Sequence, residues 1–419
     1  MNILFVEMEQ HNLHFMKKLV EDGHTVYTNQ NESSNYLKSL GINPLTELPY
    51  QIWATDLVDK KDFAKVGNGL PSIIAERFSE VLEKYKIDLV INTFPRFNQI
   101  MHSKDWGVDF VSASPDAIKL EQEKIFANSF ARHCGMKTPK ILQTGRSHKD
   151  IDVDDLPNEF VIKPSNKWTS ATIIADKTFI SSFPLEDWLF YGKNIDEIYD
   201  YYVEELVKGQ ETNISYIMSN GEWAFTFSES CDESKAKQIH NVNPQVWYAN
   251  TTIEELTPEV DKMVRDNVVE YLNQAAKLGG TYEGSITQML GEDNELYFLE
   301  NNVRPYTHNS FPIPFGGNEY LDAFRNNPQK IGDWFEGRKF PKLVFQSETI
   351  THPEQKTIMK YPMHLHEKYN VHVPTGLQYQ DEDFWLDNGA VVLVFEDEIN
   401  PDFVEEMKKE TDLVPYLGN

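Results

Sequence analysis

The chain has 419 residues, 40% hydrophobic and 25% charged, an ordinary globular composition with room for two or three domain cores. Its formal charge of -27 excludes a bulk polyanion such as nucleic acid as the main partner, because phosphate backbones are held by net positive surfaces. Only Cys134 and Cys231 are present, without CxxC or Cys/His zinc spacing, and there is no basic leader with a cleavage site and no apolar run approaching about 18 residues, so a cytoplasmic setting without membrane attachment is expected.

Along the chain, "NILFVE", an amphipathic stretch, "HTVYT", a second helical stretch, "SIIAERFSEVLEKYK" and "IDLVIN" alternate strand and helix. This pattern predicts a small parallel sheet, a Rossmann-like unit over residues 1–112. "GNGLPS" (Gly67, Gly69) lacks a third glycine and does not follow the first strand, and no GxxxxGK[ST] occurs, so neither dinucleotide nor Walker signatures are supported. "DFVSASPDAI" predicts another strand and a helix opening at Ser114-Pro115, with Gly135 closing that helical region. From Ala117 to Lys149 seven basic residues (Lys119, Lys124, Arg132, Lys137, Lys140, Arg146, Lys149) face only Glu121 and Glu123, which suits either a small anion such as a nucleotide or a solvated helix face.

From Glu159 the chain turns to strands: "EFVIK", "ATIIA", "YYVEELV", "TNISYIM" and "EWAFTFSES", with "SNGE" as a hairpin turn. "TPEVDKMVRDNVVEYLNQAAKLGG" sets Val260, Met263, Val264, Val268, Tyr271, Leu272 and Ala275 on one stripe of a long helix ended by two glycines. "TYEGSITQML" and "ELYFLEN" follow as strands joined by "GEDN". Residues 336–419 read as a further α/β module with short strands, notably "GAVVLVF", and a terminal helix. His364, His366 and His372 are taken there as ordinary strand residues rather than metal ligands.

The end of the "ELYFLENNVRPY" strand carries the most chemistry. Residues two apart in a strand share a face, so Glu300, Asn302 and Arg304 point together. Glu and Asn oxygens suit Mg2+, which takes few protein ligands and completes its shell with water and phosphates. The neighbouring arginine offers a fixed fork of donors for a carboxylate or phosphoryl group. A solvated strand edge is the plainer alternative.

"DFVSASPDAIKLEQEKIFANSFARHCGMKTP", "FVIKPS", "YYVEELVKGQETNISYIMSNGEW", "TYEGSITQML" and "YFLENNVRP", in this order and spacing, resemble an ATP-grasp ligase, in particular phosphoribosylamine-glycine ligase (glycinamide ribonucleotide synthetase). The resemblance covers about residues 85–305 and is faint elsewhere. It implies an α/β and α+β chain: a Rossmann-like domain at 1–112, an ATP-grasp domain at 113–335 with its lid subdomain at about 137–207, and a small mixed domain at 336–419. It further implies that Lys124 and Lys163 contact ATP phosphates and that Glu204 and Leu206 lie along the adenine. Glu211 would accept from the ribose hydroxyls, Glu300 and Asn302 would hold Mg2+, and Arg304 would stabilise phosphoryl transfer or an acyl phosphate. Such chemistry asks mainly for positioning and cationic neutralisation.

Two stretches depart from the family pattern. The lid, glycine-rich in the family so that backbone N–H groups close over phosphates, is "PSNKWTSAT" here, so Lys167, Thr169 and Ser170 would have to contact phosphates by side chains, or turnover would be lost. The family's acceptor motifs are replaced by "VEMEQHNLH", "NVNPQVWYAN" and "PYTHN", where Trp247, Tyr248, Tyr306 and His308 could stack on a ring or larger amine. The expected activity is an ADP-forming ligase joining a small carboxylate, such as an amino acid, to an amine acceptor, with altered substrates. A nucleotide-binding protein without ligase activity, an ATP-grasp kinase and, last, a dinucleotide oxidoreductase are the alternatives.

Overall fold

A computed structural model describes residues 1–6, 12–29, 34–48, 72–92, 98–145, 151–165, 173–176, 201–231, 253–254, 256–304, 315–338, 341–347, 357–359, 362–369, 371–375, 377–380, 383–386, 390–395, 398–411 and 413–415. The first unit comprises β1 (Asn2–Val6), α1 (Leu13–Glu21), β2 (Thr25–Thr28), α2 (Ser34–Ser39), β3 (Ile42–Pro44), α3 (Ser72–Lys84), β4 (Leu89–Asn92), α4 (Asn98–Met101) and β5 (Asp109–Val111). Its strands form a wholly parallel sheet in the order β3-β2-β1-β4-β5. The central β1 and β4 are covered on both faces, which is why "ILFV" and "LVI" are unbroken apolar runs. The three-residue edge strand β3 was not legible in the sequence, being too short to show a period.

Next come α5 (Pro115–Gln122), α6 (Lys124–His133), β6 (Ile141–Gly145), β7 (Glu159–Pro164), β8 (Ile173–Asp176), β9 (Tyr201–Glu205), β10 (Gly209–Ser219), β11 (Glu222–Cys231), β12 (Ile253–Glu254), α7 (Pro258–Ala276), β13 (Thr281–Gly291), β14 (Leu296–Asn302), α8 (Gly317–Asn326) and α9 (Pro328–Phe335). The strands build two antiparallel sheets, a smaller one ordered β6-β9-β7-β8 and a larger one ordered β12-β11-β10-β13-β14. Asn220 and Gly221, both at positive φ, make the two-residue hairpin between β10 and β11. Ser114 and Thr257 cap α5 and α7 through their side chains, each with proline at the first turn. One face of the larger sheet buries Ile214, Tyr216, Ile286 and Phe298 against the apolar stripes of α5, α6 and α7.

The last unit comprises β15 (Lys342–Ser347), β16 (Thr357–Met359), α10 (Met363–Tyr369), β17 (His372–Thr375), β18 (Leu377–Gln380), β19 (Asp383–Leu386), β20 (Ala390–Val394), α11 (Pro401–Glu410) and β21 (Leu413–Pro415). They form sheets ordered β17-β20-β15-β21 and β16-β19-β18. The strand reading of the histidines needs correction, since His364 and His366 lie in helix α10 and only His372 is in a strand. His366 is buried against Phe403, with Nδ1 3.2 Å from the Val371 carbonyl oxygen, so α10 packing on α11 overrides the alternating "MHLH" pattern. One apolar cluster runs from the parallel sheet through α8 and α9 to Phe345, Phe395 and Phe403 of the last unit. No helix among the described residues is long and apolar enough to cross a membrane.

Candidate active site

The register of β14 explains how its polar end reaches the cleft. Phe298 pairs with Gln288 and Glu300 with Thr287, so Leu299 is an extra residue, a β-bulge. Unbroken alternation would put Glu300 on the same side as Leu296 and Phe298, which are buried in the helix-facing core. The bulge resets the phase. Asn301, accepting from the Tyr216 hydroxyl at 2.9 Å, and Val303 turn inward instead, while Glu300 and Asn302 take the opposite face. Residues paired across the sheet place Asn213, Ser215, Ser285 and Thr287 on that same face, along with Glu211.

Three cations converge there from different elements. Lys124, the first residue of α6, donates from Nζ to Glu300 Oε2 at 2.9 Å. Arg304 donates from Nη2 to Asn302 Oδ1 at 3.2 Å. Lys163, near the end of β7, pairs with Glu204 of β9 at 2.6 Å and is close enough to Glu300 to act on its charge. The Lys124 ammonium, with help from Lys163 and Arg304, outweighs desolvation and holds the Glu300 carboxyl down to about 2. For Lys163, burial opposes the charged ammonium, but Glu204, Tyr202 and Glu300 overcome it and raise its pKa above the usual lysine range. Helix α6 is also tied to the end of β7 in the smaller sheet, the Lys124 N–H donating to the Ser165 carbonyl at 2.9 Å.

Of the residues singled out from the sequence, Lys124, Lys163, Glu204, Glu300, Asn302 and Arg304 form this one network. Glu211 shares the face of Glu300, two strands away, and is buried. Glu204 differs from a residue lying loosely along a base, because its side chain is 3% exposed and bound to Lys163. Leu206 lies half-buried in the short connection between β9 and β10. Lys167, Thr169 and Ser170 lie outside the described residues, as do Trp247, Tyr248, Tyr306 and His308.

Glu121 was missed as a site residue. This buried carboxylate at the end of α5 accepts from Arg304 Nε through Oε1 and from the Val303 N–H through Oε2, both at 2.8 Å. The sequence offered it only as one of two acids in a basic window, since its partners lie 182 and 183 residues away. Among the described residues no group of three His, Cys, Asp or Glu side chains could hold a metal. Glu300 and Asn302 carry oxygens of the kind a hard cation takes, and Lys124 and Arg304 occupy them here, so a bound cation would have to displace those two contacts.

No family model matches the chain, and no curated protein matches it in sequence. Among solved structures it is similar to L-amino acid ligase from Bacillus licheniformis, at 12% identity and a TM-score of 0.62 over 100% of this chain and 99% of that one. It is similar to N5-carboxyaminoimidazole ribonucleotide synthetase from Thermotoga maritima, at 12% identity and a TM-score of 0.59 over 99% of each chain. It also matches phosphoribosylamine-glycine ligase from Thermotoga maritima, at 11% identity and a TM-score of 0.57 over 98% and 97% of the two chains. Identities this low speak for architecture, and the fold implied by the sequence resemblance is the one found: the chain has the ATP-grasp fold.

Proposed function

We propose that the protein is an ATP-dependent carboxylate-amine ligase releasing ADP and phosphate. The observation that carries this reading is the convergence of Lys124, Lys163 and Arg304 on Glu300 and Asn302, at a face reached from both antiparallel sheets. Glu300 and Asn302 would hold Mg2+, which would supply positive charge to neutralise the nucleotide phosphates. Lys124 and Lys163 then give up part of their carboxylate contact to the phosphates, and Glu211 faces the ribose. The names of two similar structures, an L-amino acid ligase and a phosphoribosylamine-glycine ligase, support this assignment.

In the reaction, an oxygen of the substrate carboxylate attacks the γ-phosphorus and ADP leaves, giving an acyl phosphate. Arg304, aimed by Glu121, binds the phosphoryl oxygens as charge develops on them. The neutral amine nitrogen then attacks the acyl carbon and phosphate departs, the nitrogen losing one proton to solvent or to the leaving phosphate. Activation is required because a carboxylate oxygen is a poor leaving group. The substrates would be an amino acid or similar small carboxylate and an amine.

Incubation with Mg-ATP and pools of amino acids and amines tests the reading. Simultaneous release of ADP and free phosphate, dependent on one pool and accompanied by a product one water lighter than the summed substrates, is expected. ATP binding with no ADP from any pool would favour the second reading, a nucleotide-binding protein without turnover, which the glycine-free stretch "PSNKWTSAT" motivates.

A further inference from the structure

A crevice lies where the C-terminal end of β4 meets β13, the end of β14 and α8, and its wall includes Asn12, Ile91, Asn92, Glu283, Val303 and Tyr320. Glu283 continues the face of β13 that carries Ser285 and Thr287, which pair with Asn302 and Glu300 respectively. It therefore stands one two-residue step, about 7 Å, beyond the metal-facing pair along the same strand. Val303, in the crevice wall, directly follows Asn302. A molecule seated against Glu283 is thus next to the phosphoryl-transfer end of the proposed site.

The crevice has chemistry of its own. The Tyr320 hydroxyl donates to Glu283 Oε1 at 2.6 Å, using one of about four lone-pair positions of the carboxylate. The enclosed space is a cavity of about 10 Å³, room for a single water-sized group. That suits the head of a primary ammonium, which is about as large as water and has three donors, better than a ring or a guanidinium. Largely apolar walls, Phe15, Val111 and Phe324 among them, reward a cation that compensates Glu283 and penalise an anion beside it.

We propose that Glu283, held by Tyr320, is the recognition point for the primary ammonium group of a substrate. The assignment deepens the ligase reading and rests on it for the identity of that substrate, which carries its amino group beside the acyl-transfer position. Burial pushes the Glu283 carboxyl above the usual carboxylate range while the Tyr320 hydrogen bond pulls it back. The other titratable groups in the wall, among the described residues, are the phenols of Tyr282 and Tyr320, both raised by burial, so neither changes charge where Glu283 does. Ammonium binding therefore grows as pH rises through the Glu283 pKa.

Saturation-transfer NMR on the full chain without nucleotide tests this, using ethylammonium chloride, sodium propionate and alanine at millimolar concentration. Ethylammonium is expected to bind and propionate not to. Glu283→Gln should weaken ethylammonium at least tenfold and abolish the pH dependence. Tyr320→Phe, which removes a single hydroxyl and stands in if the first variant does not fold, should weaken it several-fold and move the pH of onset upward. If alanine follows ethylammonium in both variants, the subsite holds the amino acid's own ammonium; if only ethylammonium responds, it holds the acceptor amine. Unchanged ethylammonium affinity in a folded Glu283→Gln variant, or preference for propionate, would overturn the proposal. Mg-ATP affinity is measured on the same samples: its absence from the wild type would sink the ligase reading alone, and Glu283→Gln is expected to retain it.

Discussion

Lys163 Nζ and Glu204 Oε1 lie 2.6 Å apart with side chains 6% and 3% exposed, so the smaller sheet delivers its lysine to the cleft with a buried counter-charge attached. Breaking such a pair from one side costs more than the pair itself contributes, because the remaining charge is left desolvated. Lys163→Ala is expected to destabilise the fold by about 3–5 kcal/mol in urea unfolding. The double variant Lys163→Met with Glu204→Gln should recover most of that loss while still failing to bind ATP. Recovery of nucleotide binding in the double variant would remove Lys163 from the phosphate site.

Acid sensitivity follows from Glu300. Its folded-state pKa of about 2 lies below the ordinary 4.5, so its contribution is fully present above pH 4.5 and is lost as pH falls toward 2. Glu300→Gln should flatten the fall in melting temperature over that window. EDTA should weaken nucleotide binding by the wild type and leave the variant's residual binding unchanged. An identical acid profile in the two proteins would contradict the ion-pair account of Lys124 and Glu300.

Glu121 acts through Arg304, as a positioning residue. Removing its carboxylate takes the acceptor from Arg304 Nε, leaving the guanidinium held to Asn302 through Nη2 alone of these contacts, and leaves the Val303 N–H without that acceptor. Glu121→Gln keeps one acceptor oxygen and should reduce kcat about tenfold with little change in the KM for ATP, whereas Glu121→Ala should reduce kcat a further tenfold. Parallel loss of stability and of ATP affinity, with kcat preserved, would mark a purely structural role.

Gly280 ties the larger sheet to the segment following the parallel sheet through its bridge to Ala113. Its φ is +99°, and a Cβ there would stand 2.5 Å from the Ser114 nitrogen and 2.8 Å from the Ser112 carbonyl oxygen. Backbone atoms cannot swing aside as a side chain can. Gly280→Ala is expected to cost more than about 2 kcal/mol, combining left-handed strain with the clash, as read by chemical denaturation. The neighbouring Gly279, with open space around its would-be Cβ, should cost only the strain.

Elements with long periods or strong punctuation were legible from sequence, as α7 shows: the stripe from Val260 to Ala275 and the Gly279-Gly280 stop recur in the structure, which adds the Thr257 cap. The polar residues at the end of β14 stood out in the sequence because Glu300 and Asn302 break an apolar strand. Glu121 was not, because a carboxylate becomes a positioning group only through the approach of Arg304 from far along the chain. Glu283 was hidden in the same way, its meaning set by Tyr320 and by walls from the first unit. The helix holding His364 and His366 was missed because its 7 residues are too few to show a helical period, and tertiary packing decided its form.

The bulge at Leu299 divides β14 into two stretches under separate constraints. Before it, Leu296 and Phe298 answer to the shape of α6 and α7; after it, Glu300 and Asn302 answer to charge. Substitutions that repack the first stretch leave the second in phase, so core variation and substrate variation can accumulate independently within seven residues of one strand.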